Sequence, residues 1–131
     1  MIAIARRKAQ RAGVALHLEE AILQELPFQD ASFDVVLSTL MFHHLSAPGR
    51  RRGMREMRRV LKPGGRVLIV DFTTPARARR GLVARLHRHG QVNFREVLSL
   101  LGESGFAVGE SGAVGVRDLE FALATTTAAS A

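Results

Sequence analysis

Two seven-residue runs, Phe33 to Thr39 (FDVVLST) and Arg66 to Phe72 (RVLIVDF), are rich in β-branched side chains and apolar on both faces. Strands of that kind belong inside a parallel sheet, where helices cover both sides, rather than at a surface with one wet face. Parallel neighbours need a crossover, and the segment between the runs supplies one. Ser46 is placed to cap a helix, with Pro48 in its first turn, where a missing N–H is no loss. Met54, Met57 and Leu61 recur at spacings of three and four, with Val60 beside them, so the arginines fall on the outer face. Pro63-Gly64-Gly65 then stops the helix: proline cannot continue it, and the glycines permit a turn through positive φ.

The flanking segments extend the alternation. Ile2, Ala5, Ala9 and Ala12 share a helical face that ends at Gly13. Val14, Leu16 and Leu18 alternate with Ala15, His17 and Glu19, which predicts a half-buried strand. Leu26 to Ser32 reads as a loop. A helix is expected within Ala76 to His89, and another through Phe94, Val97, Leu98 and Leu101, closing near Gly102 to Gly105. Phe106 to Val108 and Leu119 to Thr125 read as strands joined by the glycine-rich stretch 109–115; with no helix between them they should pair antiparallel. The 131 residues, 47% of them hydrophobic, suffice for one core. The expected domain is 1–125, with a frayed tail at 126–131.

The net charge of +7 comes almost entirely from arginine, 17 Arg against 2 Lys, with six arginines between Arg50 and Arg59 and five between Arg77 and Arg88. Such clusters concentrate anions. However, there is no Trp or Tyr, and the seven Phe mostly sit in apolar runs, so no platform for stacking bases is evident. A solvated basic helix face is the plain reading, steering of an anionic substrate the next, and nucleic acid is not the expected partner. The lack of Cys excludes disulfides and thiolate chemistry and is compatible with the cytoplasm, the expected location. Arg6, Arg7, Lys8 and Arg11 break up the start of the chain, which does not read as a secretory signal. No apolar run approaches the roughly 20 residues that span a bilayer, so a soluble chain is expected.

Two longer stretches, LPFQDASFDVVLSTLMFHHL (Leu26 to Leu45) and REMRRVLKPGGRVLIVDF (Arg55 to Phe72), together with the later Gly105-Phe106 before the last strands, carry a resemblance. The chain resembles the C-terminal part of class I S-adenosylmethionine-dependent methyltransferases of the ubiquinone/menaquinone-biosynthesis type (methyltransferase type 11). The resemblance implies an α/β fold: a partial Rossmann-like sheet, mostly parallel, with a C-terminal antiparallel hairpin and lacking the first two strands. In the family those two strands lie between the strand expected near residues 14–19 and the one at 33–39. The former should therefore pair directly with the Phe33 strand, receive the intervening part from another chain, or be loosely held. Exposed strand edges of this kind invite self-association.

Ligands of open α/β sheets bind beyond the carboxyl ends of the strands. That rule places Ser38, Thr39, Leu40 and the pair His43-His44 at the mouth of a site, with Asp71 and Phe72 on the same side. The resemblance implies S-adenosylmethionine as cofactor and a small-molecule methyl acceptor, with Ile22, Leu23, Ser38, Thr39 and Leu40 as cofactor-contacting positions. The family's glycine-rich loop has no counterpart here. Its Gly-Asp pair before the Leu-Pro-Phe loop aligns with Ala21 and Ile22, and isoleucine offers no acceptor for the adenine amino group. His43 or His44 is a candidate general base, since imidazole titrates near neutrality; the alternative is that one of them caps or packs beside the next helix. Asp34 reads as a turn or cap residue. No metal site is expected, because His43-His44 and His87-x-His89 lack the spacing and the companion ligands. The expected function is methyl transfer by a truncated or degenerate family member. A non-catalytic relative that binds a partner and a basic nucleic-acid-binding module are the alternatives.

Overall fold

The computed structural model describes residues 1–73, 92–116 and 118–127. Helix α1 (Ile2–Ala12) leads through a long irregular segment to β1 (Phe33–Thr39). Then follow α2 (Ala47–Val60), β2 (Leu61–Phe72), α3 (Phe94–Glu103), β3 (Phe106–Ala113) and β4 (Leu119–Thr126). The four strands form one mixed sheet in the order β1-β2-β4-β3. β1 and β2 are parallel and joined through α2, while β4 pairs antiparallel with both β2 and β3. The strand–helix–strand unit and the terminal hairpin legible in the sequence are both present.

Local chemistry accounts for the boundaries. Ser46 is extended and its hydroxyl accepts from the Gly49 N–H at 3.2 Å, with Pro48 in the first turn of α2. The Asn93 side chain caps α3 by accepting from the Arg95 N–H. α2 ends at Val60, before Pro63, because the strand begins as soon as Leu61 turns extended. Phe33 pairs with Leu61 and Val35 with Arg66, so Lys62 to Gly65 bulge out of the ladder. Gly64 sits at φ 74, and a Cβ on Gly65 would lie 2.8 Å from the Lys62 carbonyl oxygen. Glycine is favoured at the first by backbone conformation and at the second by lack of space.

Val67, Ile69 and Asp71 of β2 alternate with half-buried Leu68, Val70 and Phe72. Val67 and Ile69 meet Ala122 and Ala124 of β4 in one core with Met54 and Met57 of α2 and Phe94, Val97 and Leu101 of α3. Each large side chain fully withdrawn from water there contributes about 1.5–3 kcal/mol. The first of the arginine clusters also differs from a merely solvated face. Arg50 pairs with Glu96 at 3.0 Å and Arg51 with Glu103 at 2.9 Å, tying α2 to α3.

Several expectations are corrected. No strand forms at Val14 to Glu19: the segment is irregular, with Val14 53% and Leu16 56% exposed, because no strand among the described residues takes up its backbone groups. It does not pair with β1, whose single partner among the described residues is β2. β3 runs on to Ala113 through a bulge between Val108 and Glu110, so most of the expected turn 109–115 is strand. β4 extends to Thr126, which is buried, one residue past the expected domain limit. The helix expected within Ala76 to His89, the second arginine cluster and most of the tail lie outside the described residues.

Candidate functional site

The parallel pair sets the geometry of the site. Thr39 is in register with Val70, and the Leu40 N–H still bonds to the Val70 carbonyl at 2.8 Å. There the chain leaves the sheet sharply. Leu40 adopts φ 54, a left-handed conformation that costs a non-glycine residue roughly 1–3 kcal/mol and tends to persist where function requires it. A short 3₁₀ turn, Phe42–His44, follows. Phe42 is fully buried and anchors this turn in the core.

Asp71, at the end of β2, is also fully buried. Its Oδ2 accepts from the Phe42 N–H at 2.6 Å and its Oδ1 from the Phe72 N–H at 2.8 Å. The Nδ1 of His43 lies 2.7 Å from the same Oδ1. The His43 ring stands edge-on to Phe72, with centroids 5.3 Å apart, and 3.9 Å from the His44 ring at a tilt. His44 is exposed and its side chain makes no hydrogen bond among the described residues. The two histidines are therefore not equivalent. Of the two, only His43 is oriented by a carboxylate among the described residues.

Beside β1 runs an open, mainly apolar groove of about 450 Å³, lined by Leu23, Phe28, Val36, Ser38, Thr39 and Met41 among others. The loop forming its outer wall is fixed by Arg59. That guanidinium donates to the carbonyls of Phe28 (2.7 Å) and Leu26 (3.0 Å), and to Asp30 Oδ1 at 2.8 Å. It also grips both oxygens of Glu56, whose Oε2 accepts in turn from the Leu26 N–H. The Arg59 hydrogen bonds, helped by the Leu26 N–H and against some desolvation, draw the Glu56 carboxyl from 4.5 down to about 2. The Arg59 guanidinium is correspondingly pushed up.

Of the residues singled out in the sequence, Leu23, Ser38 and Thr39 line the groove. Leu40 supplies the strained turn at its end, 42% exposed. Ile22 is 61% exposed, bridges only to Glu25 and does not line the groove. Asp34 pairs with Lys62 at the opposite end of β1, a surface contact. Among the described residues no three His, Asp or Glu side chains gather as a metal-ligand set, and no helix is long and apolar enough to cross a membrane. The Asp71–His43 contact and the Arg59 clamp were not read from the sequence. The signal for the first is that both residues follow the carboxyl ends of neighbouring parallel strands; the second leaves none.

The groove tests what a nucleoside cofactor would need. Apolar walls beside the hydroxyls of Ser38 and Thr39 suit one flank of an adenine nucleoside, while no acidic side chain among the groove-lining residues is available for ribose hydroxyls. These residues fit one side of such a group.

Comparison with known proteins supplies the context. The family described as a methyltransferase domain matches residues 1–69. A demethylmenaquinone methyltransferase of Thermus thermophilus is 38% identical over 113 residues, 86% of this chain and 47% of that protein. The chain spans about half the length of this relative, and less of others that it matches. Among solved structures, an S-adenosylmethionine-dependent methyltransferase from Aquifex aeolicus superposes with a TM-score of 0.75 at 23% identity, over 96% of this chain and 63% of that one. A 1,6-didemethyltoxoflavin-N1-methyltransferase from Burkholderia thailandensis, solved with 1,6-didemethyltoxoflavin and S-adenosylhomocysteine, gives 0.73 at 20% identity, over 95% and 56%. At these identities the superpositions speak for the fold.

Proposed function

The chain belongs to the methyltransferase-domain family of class I S-adenosylmethionine-dependent methyltransferases, and on that premise we propose that it serves methyl transfer from S-adenosylmethionine to a small-molecule acceptor. The observation that carries this reading is a junction: the apolar groove runs the length of β1 to Ser38, Thr39 and Met41, and the strained turn at Leu40 and the oriented His43 follow directly where β1 ends. That is where ligands of open α/β sheets bind.

In this reading Leu23, Ser38, Thr39 and Leu40 hold the nucleoside side of the cofactor, and Ile22 offers apolar contact alone. When bound, the cofactor supplies an electrophilic methyl group on a sulfonium. The chain's own contribution is positioning, exclusion of water and acceptance of a proton. His43 takes the proton in preference to His44, because a base is useful only when its ring is held. The name of the Thermus relative points to a quinone-type acceptor for that protein; for this chain the acceptor is proposed only as a small molecule.

Titration calorimetry with S-adenosylmethionine tests the reading. Binding in the micromolar to low millimolar range is expected, and absence of heat and of thermal shift at millimolar cofactor would end it. One observation favours a second reading, a non-catalytic relative that uses the fold to bind a partner: exposed Ile22 stands where an acceptor for the adenine amino group is expected. That reading predicts the null result in the same titration.

A further inference from the structure

Asp71 is a buried carboxylate held from two directions by backbone N–H groups, one from β2 itself and one from the 3₁₀ turn. Its aim is thus set before any ligand arrives. Both of its oxygens already act as acceptors, so the imidazole nitrogen facing it at 2.7 Å must be the donor. In the neutral imidazole the other ring nitrogen then carries a lone pair.

We propose that Asp71 is the positioning residue of this site, fixing His43 as its Nδ1–H tautomer so that Nε2 receives the proton lost by the methyl acceptor. The inference rests on the methyl-transfer reading and deepens it. In the step, the acceptor's X–H bond breaks and its proton passes to Nε2. The electron pair left on X forms the X–CH3 bond, and the pair of the broken C–S bond stays on sulfur as a neutral thioether. The new imidazolium faces the Asp71 carboxylate, so the charge created on the ring is compensated at hydrogen-bond distance. His44, without such a partner among the described residues, has no tautomer fixed by them. The register reinforces the assignment: Asp71 lies one residue past the Thr39–Val70 pair, where the left-handed Leu40 swings His43 across the end of the sheet.

The test uses the 131-residue chain in three measurements. Nitrogen-15 NMR of the imidazole rings should show His43 with a protonated Nδ1 and a bare Nε2. Diethyl pyrocarbonate, mapped by mass spectrometry, should carbethoxylate His43 at Nε2, and Asp71→Asn should slow this by roughly tenfold, the lower end of what a metal-ligating histidine loses in affinity or activity when its orienting carboxylate is removed. Calorimetry with S-adenosylmethionine runs in parallel. If Asp71→Asn does not fold, the wild-type tautomer and reactivity decide the matter alone. An Nε2–H tautomer, or a His43 inert to the reagent while exposed His44 reacts, overturns the inference and leaves the methyl-transfer reading standing if the cofactor binds. The expected tautomer and reactivity without cofactor binding overturn the methyl-transfer reading instead, and with it the role given to the proton.

Discussion

Arg59 and Glu56 meet across a single turn of α2 through two parallel hydrogen bonds of 2.8 Å, and the remaining Arg59 donors reach the loop that walls the groove. A bidentate fork of this kind combines charge with direction, which lysine cannot reproduce. Arg59→Lys should therefore keep the charge and lose the clamp. We expect a lower urea midpoint and faster amide exchange at Leu26 to Asp30, with α2 itself unchanged by circular dichroism.

The same pair makes stability depend on acid. Glu56 titrates near 2 in the folded chain against an ordinary 4.5, so the unfolded state binds the proton first as pH falls. Its contribution is present above the unfolded value and is lost as pH drops from about 5 toward 2. Urea midpoints measured across that window should fall for the wild type. Glu56→Gln should start lower at pH 7 and show a shallower decline.

Gly65 tests the bulge near the start of β2. A methyl group there meets the Lys62 backbone oxygen at 2.8 Å, which cannot swing aside, and the terminal Cδ2 of the buried Leu61 side chain at 2.9 Å. Gly65→Ala should cost about 1–3 kcal/mol, the range for forcing volume into packed structure. Gly102, inside α3, is the control, because an added methyl there would meet nothing within 4 Å. Gly102→Ala should gain up to about 1 kcal/mol from helix propensity. Chemical denaturation of both variants checks the opposite signs.

How much of this was legible in the sequence varied with the range of the interaction. Phe33 to Thr39 and Arg66 to Phe72 announced themselves as strands by their apolar, β-branched runs, but only β2 is interior to the sheet of described residues: β1 is an edge strand that leaves Val35 and Leu37 exposed instead of covered on both faces. Leu61 misled by fitting two patterns: it continues the Met54–Met57 spacing, yet it is the first residue of β2 and buried there. Val14 to Leu18 shows the converse, a strand period without a partner strand, and period alone cannot form a ladder. The His43–Asp71 contact joins residues 28 apart and depends on the Leu40 turn, while Arg50 finds Glu96 at a separation of 46. Periodicity carries no information at such distances, which is why an outward face of arginine read as solvated.

Phe42 links the core to the site. It is fully buried, and its N–H holds Asp71, so the turn bearing His43 stays in place only while the ring is packed. Phe42→Ala should cost about 3–5 kcal/mol by cavity formation. If the mutant still folds, NMR should show His43 exchanging between tautomers. A fixed Nδ1–H in that variant would mean that the packing of Phe42 is not what orients the ring.

The two outer strands of the sheet differ in how they meet solvent. β3 carries a bulge at Val108–Glu110 and small or polar residues beyond it, devices that discourage pairing with another chain. β1 from Val35 to Thr39 has none, and it exposes Val35 by 46% and Leu37 by 67%, both of which also line the groove, beside backbone groups with no strand partner among the described residues. An edge that is regular and apolar is the expected seat of self-association. Sedimentation velocity over a concentration series should show the wild type associating, and Leu37→Lys should shift it toward monomer. Because the side chain is mostly in solvent, stability should stay within about 0.5 kcal/mol. Association undiminished in Leu37→Lys would place the contact elsewhere and leave the β1 edge as a surface that the chain tolerates uncovered.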